Sequence, residues 1–239
     1  MTKGLLSIII PAFNEQGFIS IVLDNILAVD LESGYKKEMI VVNDASTDQT
    51  ASIVTKYIEK HPQENIRLFN QVTNLGKGAA VQRGIKETNG EFVLIQDADL
   101  EYDPQDYNDL LKPAADGMAD VVYGSRFMGH KPHRILFFWH SIGNKLLTTV
   151  SNLFTNLNLT DMETGYKLFK TTILQEITLR EKRFGIEPEI TAKISKVPGI
   201  RIYEVGVSYY GRTYKEGKKI NWQDGFRALW CILKYNLSK

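Results

Sequence analysis

Cysteine is nearly missing from the 239-residue chain: Cys231 stands alone, so no internal disulfide forms, and no Cys and His stand at zinc-finger spacing. A reducing compartment is the expected home. Long apolar runs are missing too, since no stretch approaches the ~20 residues that a membrane-spanning helix needs. The run from Leu5 to Ile10 is shorter than a signal-peptide core, lacks a small-residue cleavage site and leads into Pro11; it is read as a strand. The near absence of net charge, +1, argues against general nucleic-acid binding. No low-complexity tract, repeat or Pro/Gly linker divides the chain, and a single domain over 1–239 is expected.

What is present suits a large soluble core, with 43% hydrophobic and 24% charged residues. Charge is unevenly spread. The first 100 residues carry nine Lys and Arg against thirteen Asp and Glu, whereas residues 201–239 carry eight against three. The acidic half calls for a cation and the basic tail for an anion.

Short β-branched runs at Leu6 to Ile10, Met39 to Val42, Ile66 to Phe69, Phe92 to Gln96 and Val121 to Tyr123 alternate with helical patterns at 16–28, 48–60 and 77–88. This predicts an α/β fold, a mostly parallel sheet flanked by helices, with ligands at the carboxyl ends of the strands. After the first strand comes Pro11-Ala12-Phe13-Asn14-Glu15, with no G-x-G-x-x-G, which weakens a dinucleotide-dependent oxidoreductase. After the second comes Asn43-Asp44-Ala45-Ser46-Thr47-Asp48, where Ser46 or Thr47 is expected to cap the next helix and leave Asp44 free. The glycine-rich Asn74 to Ala80 opens a helix whose amides, with Lys77, suit phosphate. It is not a Walker A loop, because Gly78 follows Lys77.

The sharpest local signal is Phe92-Val93-Leu94-Ile95-Gln96-Asp97-Ala98-Asp99-Leu100-Glu101. If the strand continued, Asp97, Asp99 and Glu101 would share one face, and their repulsion calls for an offsetting cation. Oxygen ligands favour Mg²⁺ or Mn²⁺ with positions left open to phosphate. Placement after an apolar strand favours this over a solvated acidic turn. A glycosidase is the rival, but its carboxyl groups must flank the scissile bond from two sides, which one strand tip does not readily allow.

Five segments, Ile8 to Glu15, Val42 to Asp48, Asn74 to Ala80, Asp97-Ala98-Asp99 and Gly124-Ser125-Arg126-Phe127, stand in the order seen in family-2 inverting glycosyltransferases of the GT-A fold. Over roughly residues 5 to 220 the chain resembles that family, and within it the polyprenyl-phosphate sugar synthases, of which dolichyl-phosphate mannose synthase is the best-known type. The resemblance implies a nucleotide-sugar half at 1–127, an acceptor half at 128–215 and a C-terminal amphipathic helix at 216–239. It implies transfer of a hexose, mannose from GDP-mannose or glucose from UDP-glucose, to polyprenyl or dolichyl phosphate. Pro11, Phe13, Glu15 and Asp44 would hold the nucleoside, Lys77 and Ala98 would lie at the donor, and Asp97 would contact ribose or sugar. Asp99 with Glu101, and Asp97 beside them, would hold the metal, while Arg126 would reach phosphate. Asp97, Asp99, Arg126 and Arg212 are thus the expected catalytic group. Two departures stand out: Asn43-Asp44-Ala45-Ser46 replaces the frequent Asp-Asp-Gly-Ser, and Glu101 stands where mannose synthases commonly have Gln.

In the second half, Asp161 to Phe169 resembles the segment following the acceptor loop. The stretch from Gly211 to Lys219 resembles the Arg-x-x-Gly-x-Ser-Lys of lipid-phosphate enzymes, which makes Arg212 and Lys218 or Lys219 acceptor ligands, with Lys193 a further basic candidate. Two apolar stripes point to a membrane surface. Phe138, Trp139, Ile142, Leu146, Val150 and Leu153 form one, with Leu136 and Phe137 off it beside basic residues; Trp222, Phe226, Leu229, Trp230 and Leu233 form the other. Packing on the core or a partner subunit is the competing reading. The expected setting is cytoplasmic, peripheral at the cytoplasmic membrane face, with a membrane-anchoring subunit as a further partner. Three other functions are weighed: transfer to a saccharide in surface-polysaccharide synthesis, a non-catalytic nucleotide-sugar-binding subunit, and a nucleotidyltransferase. The last should carry its glycine-rich loop directly after the first strand.

Overall fold

A computed structural model describes residues 4–32, 34–129, 131–132, 134–135, 138–212 and 222–237. Lys218 and Lys219, with Leu136 and Phe137, lie outside the described residues. The first half alternates β1 (Gly4–Ala12), α1 (Ile19–Leu27), β2 (Tyr35–Asn43), α2 (Thr50–Lys60), β3 (Ile66–Asn70), α3 (Lys77–Lys86) and β4 (Phe92–Ile95). Then follow α4 (Tyr107–Ala115), β5 (Val121–Ser125), α5 (Phe138–Thr155), β6 (Lys167–Lys170), α6 (Thr171–Glu176), α7 (Ile186–Ile194), β7 (Ile202–Gly206) and α8 (Trp222–Leu237).

The strands form one seven-stranded sheet in the order β3-β2-β1-β4-β6-β5-β7. Pairing is parallel except at β6, which runs antiparallel to both β4 and β5. The apolar sequence of β1 is explained by burial on both faces. Ile8 and Ile10 join a cluster with Ile19, Leu23, Val54 and Leu110 from α1, α2 and α4. Ile9, on the opposite face, joins Val81, Ile85, Ile186, Ile190 and Ile232 from α3, α7 and α8.

This topology positions the site in two ways. The carboxyl ends of β1, β2 and β4 lie side by side, and antiparallel β6 brings the segment just before it, residues 161–166, to the same edge. Lys167, the first residue of β6, is wholly buried, with its ammonium held by Glu187 and the Thr164 carbonyl and set 5.2 Å from the centre of the Tyr123 ring.

The expected strands and helices are present with shifted ends. Helix α2 corrects the expected cap: its N-cap is Gln49, and neither Ser46 nor Thr47 caps it. Ser46 Oγ accepts from the Asn14 amide at 3.0 Å, and the Thr47 amide donates to Asn14 Oδ1 at 2.8 Å. Those hydroxyls and amides tie the loop after β2 to the loop after β1. Asp48 closes the turn instead, its Oδ1 accepting from the Thr50 amide at 2.9 Å.

Candidate functional site

The loops at the carboxyl ends of the strands are backbone-strained. Asn14, Ala45 and Leu100, after β1, β2 and β4, all adopt positive φ, at 53°, 55° and 62°. Left-handed backbone disfavours a side chain at Cβ, and such outliers persist where surrounding contacts over-determine them. Here the contacts are polar and converge on one edge.

Asp44, expected to stand free, is buried and engaged. Its Oδ1 accepts from the Leu75 amide at 2.9 Å and Gln71 Nε2 at 2.7 Å, and its Oδ2 accepts from the Gly76 amide at 2.7 Å. It therefore shapes the glycine-rich loop, and two of the loop amides expected to face phosphate, those of Leu75 and Gly76, are already used. Gly76 has φ +99°, and a Cβ at Gly78 would overlap the Glu181 carbonyl. These glycines let the loop lie against residues 181–183. Pro11 and Phe13 are half-buried beside it, and the Glu15 amide donates to Thr50 Oγ1 at 2.9 Å.

Lys77, at the start of α3, extends from this loop to Asp97. Its Nζ lies 2.7 Å from Asp97 Oδ1 and 3.4 Å from Glu187 Oε1. Burial works against the ammonium charge, but Asp97 and Glu187 outweigh it and hold Lys77 protonated, above the ordinary lysine range.

The three carboxylates after β4 do not share one face as their spacing predicted. The strand ends at Ile95, and the left-handed Leu100 turns the chain, which leaves Ala98 in the core. Asp97 faces Lys77. Asp99 and Glu101 face Arg212 instead: Arg212 Nη2 donates to Asp99 Oδ2 at 2.8 Å, and the Arg212 amide donates to Glu101 Oε1 at 2.9 Å. Tyr209 Oη donates to Glu101 Oε2 at 2.8 Å. Burial, then Asp97 and Glu101, push the Asp99 carboxyl up to about 7 against the opposing pull of Arg212. Among the described residues, no group of three or more His, Cys, Asp or Glu is disposed to hold a metal ion. Asp99 and Glu101 supply the oxygen donors that a hard divalent cation prefers, and Arg212 offsets their mutual repulsion here.

A cavity of about 370 Å³ opens beside this pair, lined by Phe18, Asp99, Leu100, Arg134, Tyr210 and Arg212. Arg134 was legible only as one basic residue near an apolar stripe. The fold places it here because its amide donates to the Tyr209 carbonyl at 2.7 Å and its Nη1 to the Gly211 carbonyl at 3.0 Å.

Arg126, after β5, is committed to a protein partner. Its Nε and Nη2 donate to the two oxygens of Asp161 at 2.6 and 2.7 Å, Nη2 also reaches Asn144 of α5 at 3.2 Å, and the guanidinium lies 5.2 Å from the Tyr209 ring centre. Asp161 was read only as part of a motif, and no single-residue signal marked it. Lys193 is not gathered into the site: Glu189 and the Thr178 carbonyl hold its ammonium over the Tyr235 ring. The α7 register of four residues pairs it with Glu189 and turns both away from the strand ends.

The stripe on α5 is exposed. Phe138, Trp139, Ile142, Leu146 and Leu153 face outward, while Thr148 and Ser151 are buried. On α8, Phe226 and Trp230 are exposed, and Ala228, Cys231, Ile232 and Tyr235 face inward. No helix of the described residues is long and apolar enough to cross a membrane.

A dolichyl-phosphate beta-glucosyltransferase of Dictyostelium discoideum is 33% identical over 232 residues, covering 90% of this chain and 68% of that protein. A dodecaprenyl-phosphate galacturonate synthase of Rhizobium johnstonii is 25% identical, covering 89% and 61%. The chain thus spans about two thirds of the length of these relatives. Glucosyl-3-phosphoglycerate synthase of Mycobacterium tuberculosis, solved with Mn²⁺, UDP and phosphoglyceric acid, superposes with a TM-score of 0.73 at 18% identity, covering 98% of this chain and 79% of that one. This likeness establishes the GT-A fold. Residues 7–178 match the model of Glycosyl transferase family 2, and the chain belongs to that family.

Proposed function

We propose that the protein transfers a hexose from a nucleoside diphosphate donor to a polyprenyl phosphate, with inversion at the anomeric carbon and with a divalent cation. The observation that carries the reading is the pairing of an acidic donor edge, Asp97, Asp99 and Glu101, with a cavity holding two arginines, Arg134 and Arg212. The relatives, a dolichyl-phosphate glucosyltransferase and a dodecaprenyl-phosphate galacturonate synthase, support a lipid phosphate, and the first of them makes UDP-glucose the first donor to test.

In this reading an acceptor phosphate oxygen attacks the anomeric carbon, the new C–O bond forms, and the bond to the nucleoside diphosphate breaks. The acceptor phosphate is anionic near neutral pH, so no general base is required. Arg134 and Arg212 receive its charge, as arginine suits phosphate oxygens bidentately. Asp99 and Glu101, now paired with Arg212, would hold a divalent cation, Mg²⁺ or Mn²⁺, which would supply charge stabilisation on the leaving diphosphate. Lys77 adds a fixed positive charge on the donor side, and Asp44 acts on the nucleoside through the loop it shapes. Residues 1–127 then serve the nucleotide of the donor, and 128–215 contribute the acceptor side.

The exposed faces of α5 and α8 support peripheral attachment to a membrane, where a polyprenyl phosphate resides. Asn144, on the opposite side of α5 from that stripe, accepts from Arg126, so the helix adjoins the site while its apolar stripe faces outward. Basic residues beside such a face would contribute ~1 kcal/mol each on anionic lipid.

The test is a donor panel, UDP-glucose and GDP-mannose among others, incubated with a short polyprenyl phosphate. Nucleoside diphosphate release that requires the lipid phosphate and stops with chelator is expected. Release driven equally well by a soluble saccharide, with polyprenyl phosphate ignored, would overturn the lipid reading.

A further inference from the structure

Two neighbouring carboxylates, Glu187 beside Lys77 and Glu163 beside Glu187, have no role in the scheme above. Glu163 lies in the segment before β6, two residues from Gly165, where a Cβ would overlap Asp97 Oδ2. Glu187, in the first turn of α7, is 5% exposed and reaches the same pair from the other side, with Oε1 3.4 Å from Lys77 Nζ. Both belong to the strand-end edge, on the side of Asp97 rather than of Arg212.

Neither carboxylate has both oxygens hydrogen-bonded. Glu187 Oε2 accepts from Lys167, but among the described residues no hydrogen bond reaches the enclosed Glu187 Oε1 or Glu163 Oε1. Buried acceptors are nearly always paired in folded proteins, so an unmade bond in a site asks for a donor from outside the chain. The cations at hand are already engaged, Lys167 by Glu187, and Lys77 by Asp97 at 2.7 Å with Glu187 Oε1 only within ion-pair range at 3.4 Å. Phosphate and carboxylate groups bring only acceptor oxygens and negative charge, and two carboxylates repel them. A neutral sugar brings hydroxyls, each of which donates. Glu163 as a whole is only half-buried, and the terminal torsion of Glu is soft, so its carboxylate turns to a ligand without backbone movement.

We propose that Glu163 and Glu187 form the hydroxyl-reading wall of the donor-sugar pocket and select a neutral hexose over a uronic sugar. This rests on the reading of the strand-end edge as a nucleotide-sugar site. A uronic donor would set a third carboxylate against the two, while a neutral hexose completes both unmade bonds. Burial and the neighbouring Glu187 also push the Glu163 carboxyl up to about 7, which fits a group that awaits a hydroxyl and not an anion.

Binding of UDP, UDP-glucose and UDP-glucuronate, measured by calorimetry at pH 8, separates the claims. Wild-type protein is expected to bind UDP-glucose at least about tenfold more tightly than UDP-glucuronate, the scale of one charge-assisted hydrogen bond. Glu163→Gln should leave UDP affinity unchanged and cut that ratio by about tenfold. Wild-type protein that binds both sugars alike overturns the proposal without any variant. So does a folded Glu163→Gln protein, checked by its melting curve, that keeps the ratio or loses UDP affinity in proportion. Failure of the wild type to bind either UDP or GDP overturns the nucleotide-sugar reading itself, and this assignment with it; where only GDP binds, the same ratio is read with GDP-mannose and GDP-mannuronate.

Discussion

Asp44 spends three hydrogen bonds on one loop, and hydrogen bonds to a charged group contribute ~1.5 to 3 kcal/mol each. Asp44→Asn keeps one acceptor oxygen and turns an amide donor toward another, so a loss of about 2 kcal/mol in urea denaturation is expected. The donor KM should rise with kcat little changed, because the loop acts in donor binding and in turnover alike. Glu163 carries a pH signature. Burial and Glu187, with Asp161 adding, raise it from 4.5 to about 7, and Lys167 and Arg126 oppose. The native state therefore binds this proton more tightly than the unfolded chain. Its contribution to stability is full below 4.5 and lost as pH rises through 7. Glu163→Gln, neutral at every pH, should melt progressively higher relative to wild type between pH 5 and pH 8. A difference independent of pH would contradict the assignment.

At the scale of elements, the site is a product of strand ends and of the loops they carry. Ala45 holds a left-handed backbone that costs a side-chain-bearing residue ~1 to 2 kcal/mol. Ala45→Gly should raise stability by up to about 1 kcal/mol, read by urea denaturation, since glycine's greater unfolded freedom offsets part of the relief. The strand and helix alternation of the first half was legible because each apolar run is buried on both faces, as β1 shows with Ile8, Ile9 and Ile10. The common facing of Asp97, Asp99 and Glu101 was not, because spacing by two predicts one face only while a strand lasts, and β4 stops at Ile95. Arg134 and Glu187 were hidden for a different reason: they reach the edge through α7 and a loop from distant sequence, and neither sits in a pattern of local period. The stripe on α5 was legible as a stripe, and the fold adds that it faces outward. Trp139→Ser and Trp230→Ser should each weaken binding to anionic vesicles about tenfold, since burying a large apolar side chain contributes ~1.5 to 3 kcal/mol, while soluble-donor binding is spared. Vesicle sedimentation measures it, and unchanged sedimentation would detach these helices from any membrane role.

For the whole molecule, family membership and the GT-A fold fix the general chemistry, and the acceptor is where the account commits itself. In the proposed function, the acidic strand-end edge and the two-arginine cavity beside it handle negative charge on both substrates. The mass and anomeric NMR spectrum of the product formed from UDP-glucose and a short polyprenyl phosphate, in the presence of Mg²⁺ or Mn²⁺, test this most directly. A hexosyl polyprenyl phosphate is expected, its linkage β from the α-linked donor, formed one for one with UDP. A product in which the sugar is joined to a hydroxyl acceptor, or retains the α configuration, would contradict it.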